Sequence, residues 1–432
     1  MAFPGHCRVS ASERPLYGLR VLDLTTWWAG PLAGMILADL GADVIKIEAI
    51  QRLDNWRATL ADFDNAVWWE TSPLFNAVQR NKRGMTLNLT DPRGVELFKR
   101  LAAESDIVIE NYSRRVMPQF GLSYETLKAV NPRLIMISQS GFGQEGPWAD
   151  YISFANVAES LAGIAHLTGY PDGPPCISGQ MLGDTLSGLH GATAILLAVQ
   201  DRERSGEGCY IDLSQLEASL PAVAEALADH QMNGRTWARN GNRHPHMAPH
   251  GCYPSDEDEC WLVIAIADDG QWQRLAEFID SHPRHQQDSS WTRDRSWVEF
   301  SGRKAREDAL DKQLADWTAG WQRAELLKGL GESGIHAAPV LKPSEVLTEP
   351  RLLARGFFQS VERAVVGSQP YPRSPIRFTK SSSDIYRPAP TLGEHSREVL
   401  HDILKLDQTT LDDLEREQII GTVPAAVLAN HE

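Results

Sequence analysis

The sequence predicts an α/β fold with a Rossmann-like large domain and a smaller α+β domain. Two observations carry this. Between Leu19 and Gln139, apolar runs of strand length alternate with helical runs, and such alternation builds a mostly parallel sheet with helices on both faces. From about Asn233 the texture changes to Gly-, Pro- and His-rich chain followed by a new strand and several helices, as expected of a second domain. The chain up to residue 225 is expected in the large domain and 235–345 in the small one. Residues 226–234 and 346–369 serve as linkers.

Each element follows from its local pattern. Leu19–Leu24 (LRVLDL) reads as a buried strand, and Pro31–Leu40 as a helix with proline in its first turn and Gly41 as its stop. Asp43–Glu48 (DVIKIE) is the next strand, followed by a short strand at Met85–Leu89. Pro92–Ala103 is a helix, Asp106–Glu110 a strand, Tyr124–Val130 a helix and Arg133–Gln139 a strand. Ser153–His166, Thr185–Arg204 and Ser214–Asp229 read as three helices. Asn240–Pro254 lacks periodicity and reads as loop. Trp261–Ala267 is a strand, with helices at Gln271–Ile279, Ala305–Thr318 and Arg323–Gly331. Val366–Pro390 reads as a connector and Glu394–Leu404 as a helix. The tail beyond Gly421 reads as mobile.

Composition narrows the functions. The 432 residues carry a net charge of −15, against a general nucleic-acid or anionic-membrane binder, since both need a basic surface. No uninterrupted apolar run approaches the roughly 18–20 residues of a membrane span, and Met1–Pro15 shows no signal-peptide core. Five widely spaced cysteines without a C-x-x-C pair fit a reducing cytoplasm rather than a disulfide framework or zinc site.

The motifs select among the remaining chemistries. Gly141-Phe-Gly143-Gln-Glu-Gly146 follows a strand and matches G-x-G-x-x-G, yet Pro147-Trp148 come next and no acidic residue stands clearly at a second strand end about 20 residues on. A glycine turn is the better reading. The first strand–helix turn, Thr25–Gly30, holds one glycine, so the dinucleotide fingerprint is missing. Arg80-Asn81-Lys82-Arg83 and Arg114-Arg115 sit near strand ends, where they serve either as phosphate contacts or as solvated charge. His244, His246 and His250 are interrupted by prolines and lack a completing carboxylate or thiolate, so they read as a loop lining a pocket or interface and no metal is expected. Asp184, in Gln180-Met-Leu-Gly-Asp184-Thr-Leu-Ser-Gly188, stands where a loop enters a long helix. It is either a helix cap or a carboxylate facing a ligand, ionised at neutral pH and able to act as a nucleophile without a neighbouring base.

These blocks resemble the class III CoA-transferases, which include formyl-CoA transferase, carnitine CoA-transferase and α-methylacyl-CoA racemase. The resemblance spans about residues 15–405. It is carried by Leu19–Thr25, Gly30-Pro31, Leu40–Glu48, Asn81–Arg83, Glu110-Asn111, Asn131–Leu134, Gly141–Gly143, Gly183-Asp184, Ser205–Gly208 and Pro390–His395. It implies a large domain made of 1–225 plus 370–432 with the small domain between them, and an interlocked homodimer with active sites between subunits, or a heterodimer with a paralogue. It implies no permanently bound cofactor: coenzyme A thioester and free carboxylic acid are substrates. Asp184 matches the family nucleophile. CoA contacts carry over to Trp28, Ala29, Arg80, Asn81, Asn111, Tyr112, Ser113, Ser140, Gly141 and Phe142.

Departures qualify this. Ala49 stands where relatives carry a basic residue, with Arg52 or Arg114 as substitutes, and Ser140 replaces a lysine of formyl-CoA transferase. That enzyme's glycine run is absent, and the His244–His250 loop occupies its region. A formyl/oxalyl substrate pair is therefore disfavoured. The racemase histidine position falls on Phe154, which disfavours a racemase. The branch most resembled activates larger acids, such as benzylsuccinate, from succinyl-CoA.

Overall fold

The computed structural model describes residues 14–282 and 290–429. Six strands form one parallel sheet: β1 (Arg20–Asp23), β2 (Asp43–Glu48), β3 (Arg83–Thr86), β4 (Ile107–Glu110), β5 (Ile135–Ser140) and β6 (Tyr210–Ser214). Their order is β3-β2-β1-β4-β5-β6. The order reverses direction between β1 and β4, which makes a ligand crevice at their carboxyl ends.

The reason for this sheet is legible in its burial. Val21, Leu22, Ile45, Ile107, Val108, Ile109, Ile135 and Ile137 are all at most 1% exposed, the continuous apolar run expected of strands covered on both faces. One face packs on Leu97, Phe98 and Leu101 of the helix Pro92–Ala103. The other meets Leu37 and Ile195, from the helices Ala29–Asp39 and Leu182–Ser205.

Several expectations need correction. Ser153–His166 is two short helices, Ala155–Leu161 and Ile164–Leu167, separated at Gly163, whose φ of 87° no helix accepts. The Ser214–Asp229 helix is likewise divided: Gln215–Ser219 leads through a 3₁₀ turn at Leu220–Val223 into Ala224–Asn233. Strand β6 was not anticipated. It pairs in parallel with β5, Met136 opposite Tyr210.

The C-terminal segment returns to this unit. β10 (Phe358–Arg363) and β11 (Gly367–Pro372) form an antiparallel hairpin, so part of the expected connector is strand. The chain then covers edge strand β3. His395 N–H donates to Gly84 O at 2.8 Å, Thr86 N–H to Ser396 Oγ at 3.0 Å, and Asn88 N–H to Ile419 O at 2.8 Å. From Gly421 to Ala429 the chain is held in place: Ala425 N–H, at the start of the short helix Ala425–Leu428, donates to Ile50 O at 2.9 Å.

A second compact unit comprises 166–176 and 236–353. Its antiparallel sheet runs β7 (His250–Pro254), β8 (Trp261–Ala265), β9 (His336–Val340). The end of the expected 240–254 loop is therefore a strand, because β8 supplies the pairing that its sequence does not announce. Trp272, Leu275, Leu310, Leu314, Trp317 and Leu326 pack beneath this sheet with Leu262 and Ile264.

Candidate active site

A cleft of about 400 Å³ opens at the carboxyl ends of the parallel strands, where an open α/β sheet binds ligands. Leu24 and Thr26 line it after β1, Glu48 and Ala49 at the end of β2, Asn111 and Tyr112 after β4, and Gln139 and Ser140 at the end of β5. Asp184 and Gln215 complete it from the two helices that flank β6.

Buried charge fixes the floor. Lys46 and Lys82 are both fully buried. Lys46 pairs with Asp54 at 3.0 Å, and Lys82 with Asp23 at 2.8 Å. Burial would raise the Asp23 carboxyl, but Lys82 and Lys46 hold it below its usual range. Asp23 in turn accepts from Thr25 Oγ1 at 2.5 Å, and Asp54 accepts from Trp27 N–H at 3.2 Å. The turn after β1 is thereby held with Trp27 in the left-handed region, φ 65°. Asn111 clamps the same turn: its amide accepts from Thr26 N–H and donates to Thr26 O, both at 2.8 Å.

Asp184 is not a helix cap. Its helix begins at Leu182, after Met181 at φ 49°, and no side chain of that residue caps it. Asp184 lies inside the first turn, and its Oδ1 accepts from Gln215 Nε2 at 2.5 Å. Burial pushes its carboxyl up to about 6; the Gln215 hydrogen bond opposes this and the nearby Glu159 charge adds to it. Among the described residues no cation pairs with it. Helix entry here needs a small residue: a Cβ on Gly183 would stand 2.9 Å from Ala155 O.

The expected site residues divide into two groups. Ala29, Asn111, Tyr112, Ser113, Ser140 and Gly141 line the same cleft as Asp184. Trp28, Arg80, Asn81 and Phe142 do not. Trp28 packs edge-on against Trp56 at 4.8 Å, while its neighbour Trp27 faces the cleft. Arg80 is buried in a bidentate pair with Asp39 at 2.6 and 3.1 Å. Asn81 also donates to Asp39, and accepts from Tyr386 and Arg387 N–H at 2.8 and 3.1 Å. Phe142 stacks edge-on with Trp148 at 5.4 Å. The rest of the basic run is internal too, with Arg83 pairing to Asp43 at 2.6 Å.

Other readings also meet the geometry. Gly143 and Gly146 have φ of 82° and 89°, and residues 147–154 form no helix, so the glycine pattern is a turn without a helix N-terminus to receive a pyrophosphate. Arg52 lines the cleft beside Ala49. Phe154 lines it as well, edge-on to Trp27 at 5.6 Å. Within the second unit, the rings of His244 and His250 lie 5.4 Å apart; no metal-binding cluster occurs among the described residues. The helix Leu182–Ser205 has the length and mean hydropathy, 1.3, of a membrane span. Its Gly188, Gly191, Ala192 and Ile195 face is nevertheless buried in the protein.

Sequence reasoning missed Gln215 and Glu159, which act on Asp184 from other helices. Polar neighbours such as Glu217 and Ser160 surround them in the sequence, so nothing local singles them out.

The sequence model of CoA-transferase family III matches residues 16–396. The chain is 32% identical over 397 residues to a succinate–glutarate CoA-transferase of Agrobacterium fabrum, covering 91% of this chain and 97% of that protein. It is 32% identical over 409 residues to a succinyl-CoA–D-citramalate CoA-transferase of Chloroflexus aurantiacus, covering 94% and 98%. Among solved structures, a CAIB/BAIF family protein from Brucella suis matches with a TM-score of 0.82 at 33% identity, covering 90% of this chain and 99% of that one. With the family match running nearly end to end, the chain belongs to CoA-transferase family III and is a transferase acting on CoA thioesters.

Proposed function

We propose that this enzyme moves CoA from a donor thioester, succinyl-CoA, to an organic acid through Asp184. The carboxylate attacks the thioester carbon, expelling CoA thiolate and forming a mixed anhydride. The thiolate then attacks the Asp184 carbonyl, giving an aspartyl-CoA thioester and the free donor acid. The acceptor carboxylate attacks that thioester, and the released thiolate attacks the new acyl group. Acceptor thioester and free Asp184 result.

The observation that carries this reading is the environment of Asp184: in the strand-end cleft, tethered by one amide and lifted to about 6. An ordinary aspartate lies about 4.6 pK units below a thiol, so expelling thiolate is strongly uphill. At about 6 the gap narrows by roughly 2 units, about 3 kcal/mol. The carboxylate is still mostly ionised at neutral pH.

The cleft residues Ala29, Asn111, Tyr112, Ser113, Ser140 and Gly141 hold the CoA moiety, with Arg52 as phosphate contact in place of the basic residue absent at Ala49. Trp28, Arg80, Asn81 and Phe142 act one layer out, by fixing the loops that touch it. The active form is an interlocked dimer in the cytoplasm. Glutarate and D-citramalate, named for the relatives, head the acceptor panel, with benzylsuccinate as a bulkier acid. A racemase would need a proton-carrying group where Phe154 stands.

Intact-mass analysis after incubation with a panel of acyl-CoAs tests the reading. A CoA or acyl adduct on Asp184 is expected, absent from Asp184→Ala. Neither adduct nor exchange with any donor would sink it.

A further inference from the structure

We propose that Glu159 is a positioning residue for the nucleophile: its buried carboxylate gathers Ser178 and Leu182 and so fixes the turn from which Asp184 enters the cleft. The proposal rests on Asp184 being the nucleophile.

The geometry is specific. Glu159 lies on the helix Ala155–Leu161 and is 1% exposed. Three donors converge on it: Ser178 N–H at 2.9 Å, Ser178 Oγ at 3.1 Å and Leu182 N–H at 2.8 Å. No salt bridge pairs it with a cation among the described residues. A buried carboxylate is costly unless hydrogen bonds satisfy it, and here a helix start does so. The Leu182 N–H is one of the orphan donors of that helix, which Met181 leaves uncapped. Glu159 therefore supplies from another helix the cap that the local sequence lacks, and favours negative charge at a helix N-terminus. Two residues on stands Asp184. The segment between the anchors contains Gly179 at φ 72° and Met181 at φ 49°, a conformation a non-glycine residue holds only when its surroundings dictate it.

The same carboxylate acts through space. The elements packed around Asp184 offer Glu159, Glu217 on the helix Gln215–Ser219, Asp212 on β6 and Asp39 on the helix Ala29–Asp39. The cleft adds Glu48, Asp54, Arg52 and Tyr112. Of these, Glu159 is the group whose charge acts on Asp184, in the direction of greater basicity.

The test is the pH dependence of adduct formation in wild type, Glu159→Gln and Ser178→Ala. Glutamine keeps the size and one acceptor but loses the charge. The acid limb should move to lower pH by about half a unit, with the plateau rate falling about 10-fold and CoA affinity unchanged. An unchanged plateau rate in a folded Glu159→Gln enzyme overturns the proposal. Should that variant not fold, Ser178→Ala decides: a plateau about 3-fold lower supports the anchor, and an unchanged one overturns it. Absence of any adduct from wild type overturns the parent reading as well, so the two failures are distinguishable.

Discussion

At the scale of single residues, two carboxyls give pH-dependent signatures of opposite kind. As the proposed nucleophile, Asp184 has to be ionised to attack, so activity is expected to rise with pH through about 6 rather than near ~4, where an ordinary aspartate titrates. Gln215→Leu removes the hydrogen bond that opposes the lift, so the acid limb of kcat/KM should move further up; a limb at or below the wild-type pH would show that Gln215 does not act on this carboxylate. Glu110 is a stability case. It is 3% exposed, accepts Tyr112 N–H at 2.8 Å, and burial pushes it up to about 7. The folded protein then binds this proton more tightly than the unfolded chain does. Stability therefore falls as pH rises from the unfolded value near ~4.3 through 7, and the penalty persists above. Glu110→Gln keeps an acceptor for Tyr112 and removes the charge. It should raise the stability at pH 8 by up to about 3 kcal/mol, read as a higher urea midpoint, and change little at pH 5.

At the scale of elements, the close approach of two helices behind the cleft sets a further expectation. A Cβ on Gly188 would lie 2.8 Å from Ala29 O and from a Leu32 methyl, so the helix Leu182–Ser205 touches the helix Ala29–Asp39 almost backbone to backbone. Gly188→Ala should cost about 1–3 kcal/mol by overpacking, read as a lower thermal midpoint. The elements that the sequence announced most clearly carry their signals locally. Pro92–Ala103 and Tyr124–Val130 start at Asp91 and Ser123, whose side chains accept from N–H groups of the first turn. Strands β6, β7, β9, β10 and β11 were not anticipated, because a short edge or hairpin strand is defined by its partner. Asp184 was legible because its segment matches a family pattern. Glu159 and Gln215 were not, since their meaning arises only when three helices converge.

At the scale of the whole molecule, a chain of buried ions ties the returning C-terminal segment to the first sheet. Glu48 pairs with Arg57 at 2.9 Å, Arg57 with Glu70 at 3.0 Å, and Glu70 with Arg363 of β10 at 2.6 Å. Arg363 also donates to Ala389 O at 2.9 Å. Arg363→Ala leaves Glu70 half-compensated in a dry site and should destabilise by about 3–5 kcal/mol, seen as a lower urea midpoint; an unchanged midpoint would mean that the network carries no net weight. The covering of β3 by residues from His395 to Ile419 has a consequence in time as well as space. A ribosome adds roughly 5–20 residues per second, so the backbone of β3 leaves it about 15–65 seconds before its cover is made. Until then the edge of β3 lacks the segment that covers it in the folded protein, and an open strand edge is a template for pairing with other chains.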